Sequence, residues 1–271
     1  MQDFRSAYYN QVGNEYFSRG LYTIAYRYYL LALQASRRSG DPRALLATLG
    51  NLGNICAVSG HRDQARTYYQ AVLDLQKFLG DQSGIAATLA NLGNLSVDAG
   101  EWERGRAYYL EALDLMGQGG NELARAILLS NLGLVEKETG QFARAADYYA
   151  RAFSLMRRVG NLAGQADVQQ MLAKMYLSQQ RFDEALACVH ASLAIAQQLN
   201  DELRMGGAWY VMAGCYEAKG DIAQAVQSLQ HVVRIDQMYG LPKLSENQKR
   251  LHNLLCRLSN LSSSSCPQVL S

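Results

Sequence analysis

Proline is nearly missing from these 271 residues, occurring only at positions 42, 242 and 267. With so few rings to interrupt hydrogen-bonded turns, long helices are permitted almost anywhere. No apolar run approaches the ~20 residues that cross a bilayer. The opening MQDFRSAYYN also lacks the basic and apolar blocks of a signal peptide. The expectation is a soluble, cytoplasmic chain that does not insert into membranes. The five cysteines, Cys56, Cys188, Cys215, Cys256 and Cys266, are odd in number and far apart, with no C-x-x-C pair, so reduced thiols fit better than a disulfide framework or a zinc site. An excess of either charge is missing too. Against 26 Lys and Arg stand 24 Asp and Glu, without the basic clusters that announce nucleic acid or a lipid surface. His61, His190, His231 and His252 are scattered, and neither G-x-x-x-x-G-K-[ST] nor G-x-S-x-G appears. Glu101 and Glu103 fall at a helix start, where they suit the dipole. The reading is no enzyme, with no catalytic residue, metal or cofactor.

What is present is regular punctuation. Glycine stands at 20, 40, 60, 80, 100, 120, 140, 160, 220 and 240, and the two gaps are Gln180 and Asn200. Of these, Asn is the better substitute in a left-handed, helix-ending conformation. Asp41, Asp81, Asn121, Asn161 and Asp201 follow alternate breaks as helix N-cap candidates, and Pro42 suits a first helical position. Between the breaks the apolar spacing is helical, as in Leu46, Leu49, Leu52 and Ile55, and no window alternates like a strand.

Four series step by forty. Gly13, Gly53, Gly93, Gly133, Ala173 and Ala213 are small, as are Ala25, Ala65, Gly105, Ala145, Ala185 and Ala225. Tyr29, Tyr69, Tyr109, Tyr149, Val189 and Leu229 supply the bulk that faces them, beside Ala32, Val72, Ala112, Ala152, Ser192 and Val232. Small residues let antiparallel helices approach to ~8–10 Å while a large side chain fills the gap, so each unit is a helical hairpin stacked on its neighbours.

These residues, with LGNLGN at 49–54, LANLGN at 89–94 and LSNLGL at 129–134, resemble the tetratricopeptide repeat in a lengthened form. The usual unit has ~34 residues. At forty, the repeats are similar to those of kinesin light chain, the Pins/LGN polarity scaffolds and bacterial peptide-sensing regulators. The resemblance implies an all-α, right-handed α-solenoid of six antiparallel helix-turn-helix repeats over 1–240 (about 1–40, 41–80, 81–120, 121–160, 161–200 and 201–240), with first helices lining a concave groove. A capping helix is expected over 241–260, opened by a Ser245-x-x-Gln248 capping box, with Leu251, Leu254, Leu255 and Leu258 inward and Lys249, Arg250 and Arg257 in water. A homodimer through those leucines is the alternative use of that helix. Residues 261–271 read as a disordered polar tail.

Asparagine is a mediocre helix former, so its recurrence at fixed sites needs a reason. In the resembling scaffolds, asparagines at these offsets hydrogen-bond the main chain of an extended peptide. Carried over by position, Asn14, Asn51, Asn54, Asn91, Asn94 and Asn131 form such a ladder; Asn10 lies four residues before Asn14, and Lys174 takes an equivalent site toward the C-terminus, where Gln170 and Tyr210 are further candidates. The competing account is that the asparagines bond across adjacent first helices and touch no ligand. In the pairs 28/29, 68/69, 108/109 and 148/149 the second tyrosine reads as core and the first as surface, not as a base-stacking platform. The implied function is an interaction scaffold holding a partner's extended or disordered segment, the alternative being a sensor of a short signalling peptide that controls an effector on another chain.

Overall fold

In the computed structural model, which describes residues 4–117 and 121–264, the chain reverses about every twenty residues. Gly40 turns out of its helix at φ 67° and Gly220 at φ 81°. The same left-handed turn is forced on two residues with side chains, Gln180 at φ 60° and Asn200 at φ 52°. The geometry of the joint, and not glycine alone, therefore sets the conformation. Position 120 lies outside the described residues; Gly117 has positive φ (56°) at the end of its helix.

The chain divides into two compact units, Met1–Asn121 and Glu122–Ser271. The first holds α1 (Arg5–Ser18), α2 (Tyr22–Ser39), α3 (Pro42–Val58), α4 (Arg62–Leu79), α5 (Gln82–Asp98) and α6 (Trp102–Met116). They pack as consecutive hairpins α1/α2, α3/α4 and α5/α6, and α2 lies against α3 and α4 against α5. The second holds α7 (Glu122–Glu138), α8 (Phe142–Arg158), α9 (Leu162–Ser178), α10 (Phe182–Gln198), α11 (Glu202–Lys219), α12 (Ile222–Tyr239) and α13 (Leu244–Ser264). Its hairpins are α7/α8, α9/α10 and α11/α12, and α13 closes the array on α12. Six helix pairs and a closing helix make the described chain an all-α, repeat-built solenoid.

Caps start four of the helices for which the sequence places Asx. The carboxylates of Asp41, Asp81 and Asp201 accept from the backbone N–H of Arg43, Gly84 and Arg204 at 2.9–3.0 Å, and the Asn161 carboxamide oxygen from Gly164 at 2.8 Å. Asp221 adds a further cap at 3.1 Å from the Gln224 N–H.

The core is built of small residues set against large ones. A methyl group added at Gly53 would sit 2.5 Å from Cε1 of Tyr69, and Gly13, Gly93 and Gly133 meet Tyr29, Tyr109 and Tyr149 in the same way. In the last two hairpins the ring shrinks to Val189 and Leu229, and the facing position becomes Ala173 and Ala213, all four fully buried. Volume is thus conserved hairpin by hairpin, as close packing demands. The first tyrosines of each pair, Tyr28, Tyr68, Tyr108 and Tyr148, are half-buried rather than fully wet. Tyr28 stacks on Tyr16 at 5.5 Å, and Arg104 and Arg151 lie over Tyr108 and Tyr148.

At the C-terminal end α13 begins at Leu244, so Ser245 lies inside the first turn instead of preceding it. Leu254 is buried while Leu255 is exposed. Arg250 does not face open water: its guanidinium donates to Glu217 at 2.8 and 3.0 Å and lies over the Tyr210 ring. Residues 265–271, most of the tail read as disordered, lie outside the described residues.

Candidate functional site

Asparagine at the first-helix sites does two separate jobs. Asn14 on α1, Asn54 on α3 and Asn94 on α5 are exposed, yet each accepts through Oδ1 the hydroxyl proton of the buried tyrosine on its own second helix. Tyr29 donates to Asn14 at 2.8 Å, Tyr69 to Asn54 at 2.7 Å and Tyr109 to Asn94 at 2.7 Å. A buried phenol without an acceptor would cost about 1–3 kcal/mol, so the carboxamide has a structural reason to be there. Burial pushes the Tyr69 phenol up to about 12, keeping it a donor at neutral pH.

The other job joins neighbouring hairpins. Asn10, buried, donates through Nδ2 to Thr48 Oγ1 at 2.8 Å and accepts from Asn51 Nδ2 at 3.1 Å, while the Thr48 hydroxyl donates to the Ala44 carbonyl at 2.8 Å. This chain ties α1 to α3 and commits both ends of the Asn10 carboxamide within the protein. One hairpin on, the place of Asn10 is taken by Gly50, and Asn91 on α5, half-buried, has no such partner across the stack among the described residues. Asn131 on α7 belongs to the second unit and is half-buried.

The fourth repetition breaks the pattern. Leu134 stands where the carboxamide should be, and the fully buried Tyr149 hydroxyl has no acceptor among the described residues. In the fifth and sixth, Lys174 and Gly214 replace Asn where Val189 and Leu229 replace tyrosine. Where no hydroxyl needs an acceptor, none is supplied. That pairing is present in the sequence, but it was missed because each residue, taken alone, has an adequate explanation as ligand contact or core.

Lys174 borders a recess of about 390 Å³ that also includes Tyr210 and Lys243. Partial burial, and then the ammonium groups of Lys137 and Lys243, hold its pKa below the usual lysine value against the pull of Asp167. In the first unit a recess of about 600 Å³ lies elsewhere, against Tyr22, Tyr26, Ile55 and Cys56, and no sequence signal pointed to it. Among the described residues no group of three or more His, Cys, Asp and Glu could hold a metal ion, and no helix is long and apolar enough to cross a membrane.

Three comparisons place the chain. No curated protein sequence matches it. Among solved structures it is similar to BtubC (BKLC) from P. vanneervenii, at 22% identity and TM-score 0.69 over 80% of this chain and 91% of that one. It is similar also to the apo form of RapI, at 14% identity and TM-score 0.72 over 94% and 99%. A Rap protein complexed with Competence and Sporulation Factor matches at 15% identity and TM-score 0.67 over 94% and 76%. At these identities the likeness is one of fold. A family profile described as tetratricopeptide repeat matches residues 3–77, 84–158 and 164–238; with the glycine-tyrosine hairpins above, this means that the chain belongs to the tetratricopeptide-repeat family, whose fold is typical of protein-interaction scaffolds.

Proposed function

We propose that the chain is a binding scaffold whose first helices hold an extended segment of another protein, without chemistry. The observation that carries this reading is the state of Asn14 and Asn54. Each is exposed, each has Oδ1 taken by a buried tyrosine, and each therefore turns an oriented Nδ2 donor outward. Such donors suit the carbonyl oxygens of an extended main chain, and holding them in place beforehand lowers the ordering cost of association. With Oδ1 engaged by the tyrosine, the carboxamide keeps its Nδ2 hydrogens for a ligand. Asn94 on α5 stands at the equivalent position and accepts from Tyr109 in the same way, with Asn51 and Asn91 beside it; on the second unit Asn131 and Lys174 occupy the corresponding places. The Rap protein complexed with Competence and Sporulation Factor supports the reading as a case in which this fold holds another molecule.

The test must remove the donor without orphaning the tyrosine. Immobilised chain is panned against a random-peptide library, and a representative enriched peptide is titrated by fluorescence anisotropy against wild type, Tyr69→Phe and Asn54→Leu/Tyr69→Phe. Tyr69→Phe, which keeps the donor but loses the bond that orients it, should bind slightly more weakly than wild type, and the double variant about five- to ten-fold more weakly, the worth of one lost hydrogen bond. Equal affinity for all three would remove the asparagines from the site, and no enriched peptide at all would overturn the scaffold reading.

A further inference from the structure

In the second unit the place of the asparagines is taken by Lys174, whose hairpin partner is Val189. With no phenol to accept from, this position is released from the structural role that fixes Asn54. Lys174 stands at a recess of about 390 Å³ bounded by α11, α12 and the Leu241–Lys243 segment that leads into α13. Leu203, Ile235 and Leu241 contribute apolar walls, and Lys174, Lys243 and the Tyr210 phenol ring line it as well. Lys243 Nζ lies 5.8 Å from the Tyr210 ring centroid and the Arg250 guanidinium 5.2 Å.

The acids nearby are committed elsewhere. Asp236 is buried in the lining and accepts from Asn247 Nδ2 at 2.7 Å. Asp167, on α9 with Lys174, is held by the Arg204 guanidinium at 2.9 and 3.0 Å, and Glu217 by Arg250. Lys137, approaching from α7, pairs with its neighbour Glu138 at 2.5 Å. Lys174 and Lys243 are left without an ion pair among the described residues. Desolvation and like charge already hold the Lys174 pKa low, so its positive charge is costly and a bound anion would recover that cost. Two lysines against one buried carboxylate leave a single net positive charge in the lining. One carboxylate matches it better than a phosphate, which carries about −1.5 to −2.

We propose that this recess is a specificity subsite for one acidic side chain, Asp or Glu, with an apolar neighbour, in a segment bound on the second unit: the carboxylate meets Lys174 and Lys243, and the neighbour packs on Leu203, Ile235 and Leu241. This rests on the peptide-binding reading above.

The test pans full-length chain against a random, unphosphorylated peptide library. Wild type should enrich peptides with an acid beside an apolar residue. The variant Lys174→Met/Lys243→Met should lose that preference, whereas Lys174→Arg keeps it. For one enriched peptide, changing its Glu to Gln should weaken binding about 10- to 100-fold with wild type and have no further effect with the double Met variant. Enriched peptides without an acid, or an acid preference that survives both substitutions, would overturn the subsite and leave the scaffold reading standing. A library yielding no enriched sequence would overturn the scaffold reading, and the subsite with it.

Discussion

Four hairpins bury a tyrosine at the same place, and the fate of its hydroxyl differs in one of them, so a phenylalanine scan should change sign along the chain. Tyr69 and Tyr109 donate at 2.7 Å to Asn54 and Asn94. Deleting either hydroxyl loses that bond, and the exposed carboxamide finds water, so Tyr69→Phe and Tyr109→Phe should each cost about 1 kcal/mol. Tyr149 has no such acceptor. Its deletion loses no bond and removes an unsatisfied buried donor, so Tyr149→Phe should be neutral or stabilise by up to about 2 kcal/mol. Leu134→Asn attacks the same defect from the other side. A satisfied hydroxyl gains about 1–3 kcal/mol, offset by about 1 kcal/mol of apolar burial lost with a half-buried leucine, for a net gain of about 0–2 kcal/mol. In the Leu134→Asn background, Tyr149→Phe should cost what Tyr69→Phe costs, a coupling of about 1–3 kcal/mol in the double-mutant cycle. Urea titration of the whole chain supplies the free energies. Hydrogen exchange over α7 and α8 assigns them to that hairpin, because repeat arrays need not unfold in one step. A Tyr149→Phe variant destabilised as much as Tyr69→Phe would refute the reasoning, since the hydroxyl would then have an acceptor.

Other outcomes follow from the same packing and turns. Gly53→Ala places a methyl 2.5 Å from Tyr69 Cε1 and should cost about 1–3 kcal/mol in urea despite alanine's better helix propensity; adding Tyr69→Val, the Ala173/Val189 combination, should restore much of it. Gln180→Gly relieves a side chain held at φ 60° and should stabilise by about 0.5–1 kcal/mol after the entropy of the extra glycine is subtracted; a lower thermal midpoint would contradict the left-handed turn. Burial raises the Tyr69 pKa from 10.0 to about 12. The folded state therefore keeps a proton that the unfolded state gives up first, so this contribution is intact below pH 10 and is lost as pH rises from 10 toward 12. Tyr69→Phe should flatten that decline in alkaline urea titrations.

The repeat was readable because its demands are local. A left-handed turn asks for glycine, an aromatic ring asks for a facing glycine, and both recur by forty. Gln180 shows the limit of that logic, since the joint imposes positive φ on a residue no propensity would place there. The phenol–carboxamide bond was harder to read because its partners lie fifteen residues apart on opposite arms of a hairpin. Arg250 was placed in water by its charge, yet Glu217 and the Tyr210 ring draw it onto the protein, contacts that only the docking of α13 creates. The division after Asn121 left no mark in the forty-residue period, although α6, ending at Met116, is shorter than the helices equivalent to it.

Because Asn54 serves its tyrosine and, on the proposal above, a ligand, alanine substitution cannot separate the two roles. Asn54→Ala strands the hydroxyl of a tyrosine that is only 4% exposed, and should cost about 1–3 kcal/mol of stability whatever it does to binding. Asn54→Leu/Tyr69→Phe removes donor and hydroxyl together and leaves apolar surfaces of similar shape, which can be nearly neutral. The two variants should therefore differ in unfolding midpoint and agree in peptide affinity. If Asn54→Ala proved as stable as the double variant, the Tyr69 hydroxyl would not depend on this carboxamide, and the argument that orients Nδ2 outward would lose its footing. If stabilities differed as expected while both variants bound peptide like wild type, the asparagines would be purely structural, and recognition would have to lie elsewhere on the chain.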